Sequence, residues 1–118
     1  MKRLSADRLS GVLARLNDRP RVVVSGNFAT PHTLLNAVDK SLPQYVLHML
    51  NAQGELPSRD GVTYETTFVG PAMRRRPGLR YVPCRLSLVP VLFHRRLPPD
   101  LVLLHTSGPV NGMVSLGL

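Results

Sequence analysis

The stretch on which the reading turns is RVVVSGNFATP, residues 21–31. Arg21-Val22-Val23-Val24-Ser25 is a β-branched apolar run of the kind that makes a strand buried on both faces. Gly26-Asn27-Phe28-Ala29 interrupts it as a tight loop. Thr30 and Pro31 then have the residue types of a helix N-cap and a first helical position. Behind them Leu34, Leu35, Val38 and Leu42 follow a helical face until Pro43. Strand, glycine loop and helix in that order open a parallel α/β sheet. Ligands of such sheets bind beyond the carboxyl ends of the strands, the position expected for Gly26, Asn27, Phe28, Ala29, Thr30 and Pro31. The stretch matches neither G-x-x-x-x-G-K-[ST] nor G-x-G-x-x-G, which leaves an ordinary βα turn and a ligand-facing loop as the two readings.

Working outward, Leu9, Val12, Leu13 and Leu16 stand at i, i+3, i+4 and i+7 and predict a leading amphipathic helix within residues 1–20. Ser5 is placed to cap it, Leu4 and Leu9 to staple it, and Asn17-Asp18-Arg19-Pro20 to end it. Downstream, strands are expected at Tyr45–Leu50 and Val62–Val69, with a polar loop from Asn51 to Gly61 between them. A short strand at Leu79–Val82, a brief helix from Ser87 to Arg96 and a strand at Asp100–His105 follow. Thr106–Met113 reads as a turn-rich loop and Val114–Leu118 as the start of another strand. The expected fold is α/β, an open and mainly parallel sheet with flanking helices, in one segment covering residues 1–118.

Composition agrees. Eleven prolines and nine glycines in 118 residues demand short elements and frequent turns, which excludes a coiled coil or a long bundle. With 19% charged residues and no like-charge tail, general disorder is excluded as well. Fifteen Lys+Arg against seven Asp+Glu leave a formal +8, which attracts anions: nucleic acid, acidic lipid or a phosphorylated small molecule. No apolar run approaches the ~18 residues of a membrane span. Asp7 and Arg8 break the apolar core that a signal peptide needs, so a cytoplasmic address is expected.

The chemical candidates are sparse. His32, His48, His94, His105 and Cys84 lack the paired spacing of a zinc site, and Cys84 alone excludes a disulfide framework. His48 and His105 fall in expected strands, where a hydrogen-bonded structural histidine is the ordinary role. Cys84 beside Arg85 invites a lowered thiol pKa, against the commoner inert cysteine. Asp7 and Asp39 are expected on exposed helix faces. Glu65 is the one carboxylate placed like an active-site group, though a partner for Arg80 or Arg85 explains it equally well. Arg74, Arg75 and Arg76 suit phosphate contacts or a solvated loop. With three Phe, three Tyr and no Trp, no aromatic platform accompanies them, and nucleic acid is not the expected partner.

Four successive stretches, RVVVSGNFATPHTLLNAV, YVLHMLNAQGELP, TTFVGPAMRRRPGLRYVPCRLSLVPVLF and PPDLVLLHTSGPVNGMVSLGL, together resemble the start of the acetyl-CoA hydrolase/CoA-transferase family, from about Arg21 onward. That family includes acetate, butyrate and 4-hydroxybutyrate CoA-transferases. The resemblance implies a fold of two similar α/β halves with coenzyme A and substrate at their junction, faced by the loop Gly26–Pro31. It implies no bound cofactor: acyl-CoA is the substrate and a short carboxylate the acceptor. A glutamate attacks the thioester to give a mixed anhydride, the CoA thiolate returns to give a glutamyl-CoA thioester, and a second carboxylate or water accepts. In the family that glutamate belongs to the later half, beyond Leu118, and neither Glu55 nor Glu65 stands in the matching context. The chain is therefore expected not to turn over alone, and to need a second half or an oligomeric partner. The rival expectation is a non-enzymatic module that binds CoA or another phosphorylated ligand.

Overall fold

The computed structural model describes residues 2–116. Helix α1 spans Ala6–Leu13 and leads into strand β1, Arg21–Val24. A single 3-10 turn at Asn27–Ala29 connects β1 to helix α2, His32–Ser41. Strands β2 (Tyr45–Met49), β3 (Val62–Thr66) and β4 (Arg80–Tyr81) follow. A second 3-10 turn, Leu86–Leu88, runs into helix α3, Val89–Arg95, and strand β5 is Leu101–Leu103. The sheet is five-stranded in the order β4-β3-β2-β1-β5, and each neighbouring pair is parallel. The chain is thus an α/β protein with flanking helices. No helix among the described residues is long and apolar enough to cross a membrane.

The two faces of the sheet differ. Val22, Val24, Tyr45, Leu47, Met49, Tyr64 and Leu103 share one face and form the core with Leu35 and Val38 of α2 and Leu13 of α1. Arg59, reaching over from the β2–β3 loop, holds the end of α2: its guanidinium donates to the carbonyl oxygens of Asp39, Leu42 and Pro43. These are the acceptors a helix C-terminus leaves open. Arg59 also pairs with the Asp39 carboxylate at 3.1 Å, and the Tyr45 hydroxyl donates to the same oxygen at 2.9 Å. Burial, and then the bond to Asp39, raise the Tyr45 phenol well above its ordinary pKa.

The opposite face carries a row of mixed character, buried at His48 and Glu65 and exposed at its two ends. Val102, Val23, His48, Glu65 and Arg80 stand side by side across five strands. Phe93 of α3 meets the His48 ring edge-on, centroids 4.9 Å apart.

Several expectations need correcting. Strand β1 is fully buried on one face only: Val22 and Val24 enter the core, while Arg21 and Val23 on the other face are half-buried. Helix α1 stops at Leu13 rather than at Asn17, leaves Val12 exposed, and receives no side-chain hydrogen bond from Ser5. Pro31, not Thr30, is the N-cap of α2; the Thr30 hydroxyl instead donates inward to the carbonyls of Ser25 and Asn27. Ser87 lies inside the 3-10 turn, where it caps nothing. Asp39 is held by Arg59 and Tyr45 and is not a free surface charge. His105 falls beyond β5. Val114–Leu116 form no strand, and the remainder of that expected strand, Gly117 and Leu118, lies outside the described residues.

Candidate functional site at the switch point of the sheet

Strands β1 to β4 are laid down in one direction, and β5 then returns to pair on the far side of β1. The strand order reverses between β1 and β5, and open α/β sheets bind ligands in the crevice at the carboxyl ends of strands at such a point. A cleft of about 520 Å³ lies there, lined by Thr30, Pro31, His32, Thr33 and Leu34 on one wall and Leu104, His105 and Thr106 on the other. Its volume falls within the roughly 300–1,000 Å³ of small-molecule sites. One wall is the first turn of α2; the His32 N–H donates to the Thr30 carbonyl at 3.0 Å, which leaves the N–H groups of Thr33 and Leu34 and the helix's partial positive charge to favour an anion. Histidines from both walls add donors.

The loop bordering this cleft is built against the tips of its neighbours. A Cβ on Gly26 would overlap the Leu50 carbonyl oxygen, so only glycine allows the β1 and β2 tips to approach so closely. Gly70, at the β3 tip, is pressed onto the backbone of Asn51 and Ala52 in the same way. Asn27 and Asn51 both occupy the left-handed region, at φ 52° and 48°, a conformation asparagine tolerates better than most side chains. Their side chains hydrogen-bond to one another, and the Asn27 N–H donates to the Asn51 carbonyl at 3.3 Å. Gln53 extends the amide chain to Asn51 at 3.1 Å. Inside the loop, the Ser25 hydroxyl donates to the Ala29 carbonyl at 2.6 Å. The result is a braced loop that holds Phe28 out from the surface, 97% exposed.

Gly26, Asn27, Phe28, Ala29, Thr30 and Pro31 are therefore gathered at one strand tip, and the last two line the cleft itself. Arg74, Arg75 and Arg76 do not join them. Arg76 turns back to donate to the Ala72 carbonyl at 3.1 Å and lies over the Tyr64 ring, 5.1 Å from its centroid. Arg74 and Arg75 point to solvent beside a separate recess of about 470 Å³.

Glu65 is the reverse of an available nucleophile. At 2% exposure it accepts from Arg21 Nε at 2.9 Å, Arg21 Nη2 at 3.3 Å and His48 Nδ1 at 2.8 Å. Its partners are Arg21 and His48, not Arg80 or Arg85. Burial alone would raise this carboxyl, but hydrogen bonds from His48 and Arg21, and then the Arg21 charge, outweigh it and hold the group down at about 2. His48 Nε2 is buried without a hydrogen-bond partner among the described residues, its ring against Phe93. Cys84 is half-buried, and its thiol donates to the neighbouring Arg85 carbonyl. Among the described residues no group of three or more His, Cys, Asp or Glu is arranged to hold a metal ion.

His32, Thr33, Leu34, Leu104, His105 and Thr106 are the cleft residues that lie outside the loop expected from the sequence. His105 was expected at the end of a strand as a structural histidine, and its place in the cleft depends on β5 ending at Leu103 and pairing with β1. Comparison of the chain with known protein families, with curated proteins and with solved structures finds no match to any of them.

Proposed function

We propose that this chain is the amino-terminal α/β segment of an acyl-CoA transferase or acetyl-CoA hydrolase, contributing one wall of a site in which CoA moves between an acyl thioester and a short carboxylate such as acetate. The observation that carries the reading is the cleft between Thr30–Leu34 and Leu104–Thr106. It lies at the switch point, and the loop beside it, SGNFATP, is part of the sequence that resembles that family. The chemistry suits the substrate class: the first turn of α2 favours a carboxylate or thioester oxygen, and Leu34 and Leu104 supply an apolar wall for a short acyl chain.

These residues bind and orient. The nucleophile comes from elsewhere: Glu65 is buried and held by Arg21 and His48, and Glu55, exposed in the β2–β3 loop, does not line the cleft. Turnover by residues 1–118 alone is not expected, and the site is completed by a later half or a partner subunit, in the cytoplasm where acyl-CoA is met. Titrating the isotopically labelled chain with acetyl-CoA, CoA and acetate while following backbone amide shifts tests this. Perturbations centred on Gly26, Thr30, His32 and His105 are expected, without hydrolysis. Shifts absent at millimolar ligand, or confined to Arg74 and Arg75, would overturn the cleft assignment. Turnover by the wild-type chain that a Glu65→Gln variant loses while keeping its far-UV circular dichroism spectrum would overturn the structural role of Glu65.

A further inference from the structure

A second surface stands apart from the cleft and does not depend on its reading. From residue 66 to residue 99 the chain has no carboxylate, yet it carries seven arginines and no lysine. Within that span the 3-10 turn and α3 expose Leu86, Leu88 and Val91, each about half accessible, while Val89 and Phe93 face inward. Arg85, Arg95 and Arg96 are exposed on the same segment. The sheet face beneath α3 continues outward to Val102 of β5, itself half exposed.

We propose that this α3 face is a docking surface for an acidic protein, one presenting an apolar patch rimmed by carboxylates. Charge complementarity selects the occupant. A second copy would bring +8 against +8 and arginine against arginine. The choice of arginine over lysine is that of protein interfaces, where arginine is enriched and lysine depleted, and a guanidinium pairs with a carboxylate through two hydrogen bonds. A membrane surface is a poorer fit, because α3 has only seven residues and its one aromatic anchor, Phe93, packs inward on His48. Nucleic acid would need stacking side chains, and the one aromatic of α3, Phe93, packs on His48.

The test uses the full chain and a synthetic amphipathic peptide with leucines along one side and glutamates along the other, followed by fluorescence anisotropy at physiological salt. Binding is expected, weakened about tenfold or more by L86S/L88S/V91S and similarly by R85S/R95S, as for central interface residues. All five side chains are exposed, so an unchanged far-UV circular dichroism spectrum is expected for both variants. Amide shifts mapped on the wild-type chain give a readout that needs no variant, and should centre on residues 85–96. Four results overturn the proposal: polyglutamate binding as tightly as the peptide, phosphatidylserine vesicles or single-stranded oligonucleotide binding more tightly through these residues, self-association abolished by L86S/L88S/V91S, or shifts lying elsewhere.

Discussion

Replacing Glu65 by glutamine removes one charge from a buried cluster and leaves its shape almost unchanged. In the folded protein the carboxyl is held at about 2 against an ordinary 4.5, which amounts to about 3 kcal/mol of stabilisation at neutral pH. Because the folded pKa is the lower one, this contribution is complete above about pH 4.5 and is lost as the pH falls toward 2. Glu65→Gln should therefore lower the unfolding free energy by about 3 kcal/mol at pH 7, within the range for breaking a buried pair, and the difference should shrink as acid protonates the wild type. Against a total of roughly 5–15 kcal/mol for an ordinary domain, that is a large share. Urea unfolding monitored by far-UV circular dichroism across pH 2–7 measures it directly, the chain having no tryptophan to report by fluorescence. Equal stability at pH 7, or parallel pH profiles for the two proteins, would refute the idea that Arg21 and His48 hold an ionised Glu65.

Two further outcomes test the bracing around the cleft and the core. Gly26→Ala forces the β1 tip away from the Leu50 carbonyl and should cost about 1–3 kcal/mol, with loss of hydrogen-exchange protection at the Asn27 amide. Arg59→Met keeps the aliphatic stem but leaves the carbonyls at the end of α2 unpaired; a loss of about 1–3 kcal/mol and faster exchange in the last turn of that helix are expected, and unchanged exchange there would sink the capping role.

The local elements were legible because they follow from near-neighbour physics. The valine run of residues 22–24 has strand propensity, Pro43 stops a helix wherever it stands, and Gly26 marks the loop at the strand's end. Boundaries were less legible. The hydroxyl of Thr30 could cap α2 or turn inward, and the two carbonyls of its own loop decided in favour of the latter.

What the sequence could not disclose was which strands lie side by side. That Arg21, His48 and Glu65 converge follows from β1, β2 and β3 being adjacent in parallel register, although Arg21 and Glu65 are 44 residues apart. That His105 shares a cleft with His32 follows from β5 crossing back to β1. Pairing depends on closing long loops and burying one common core, a property of the whole chain with no local signature. The amino-acid order by itself determined an α/β chain with a glycine loop at a strand tip. The tertiary fold alone decided which carboxylate is locked away and where the cleft opens.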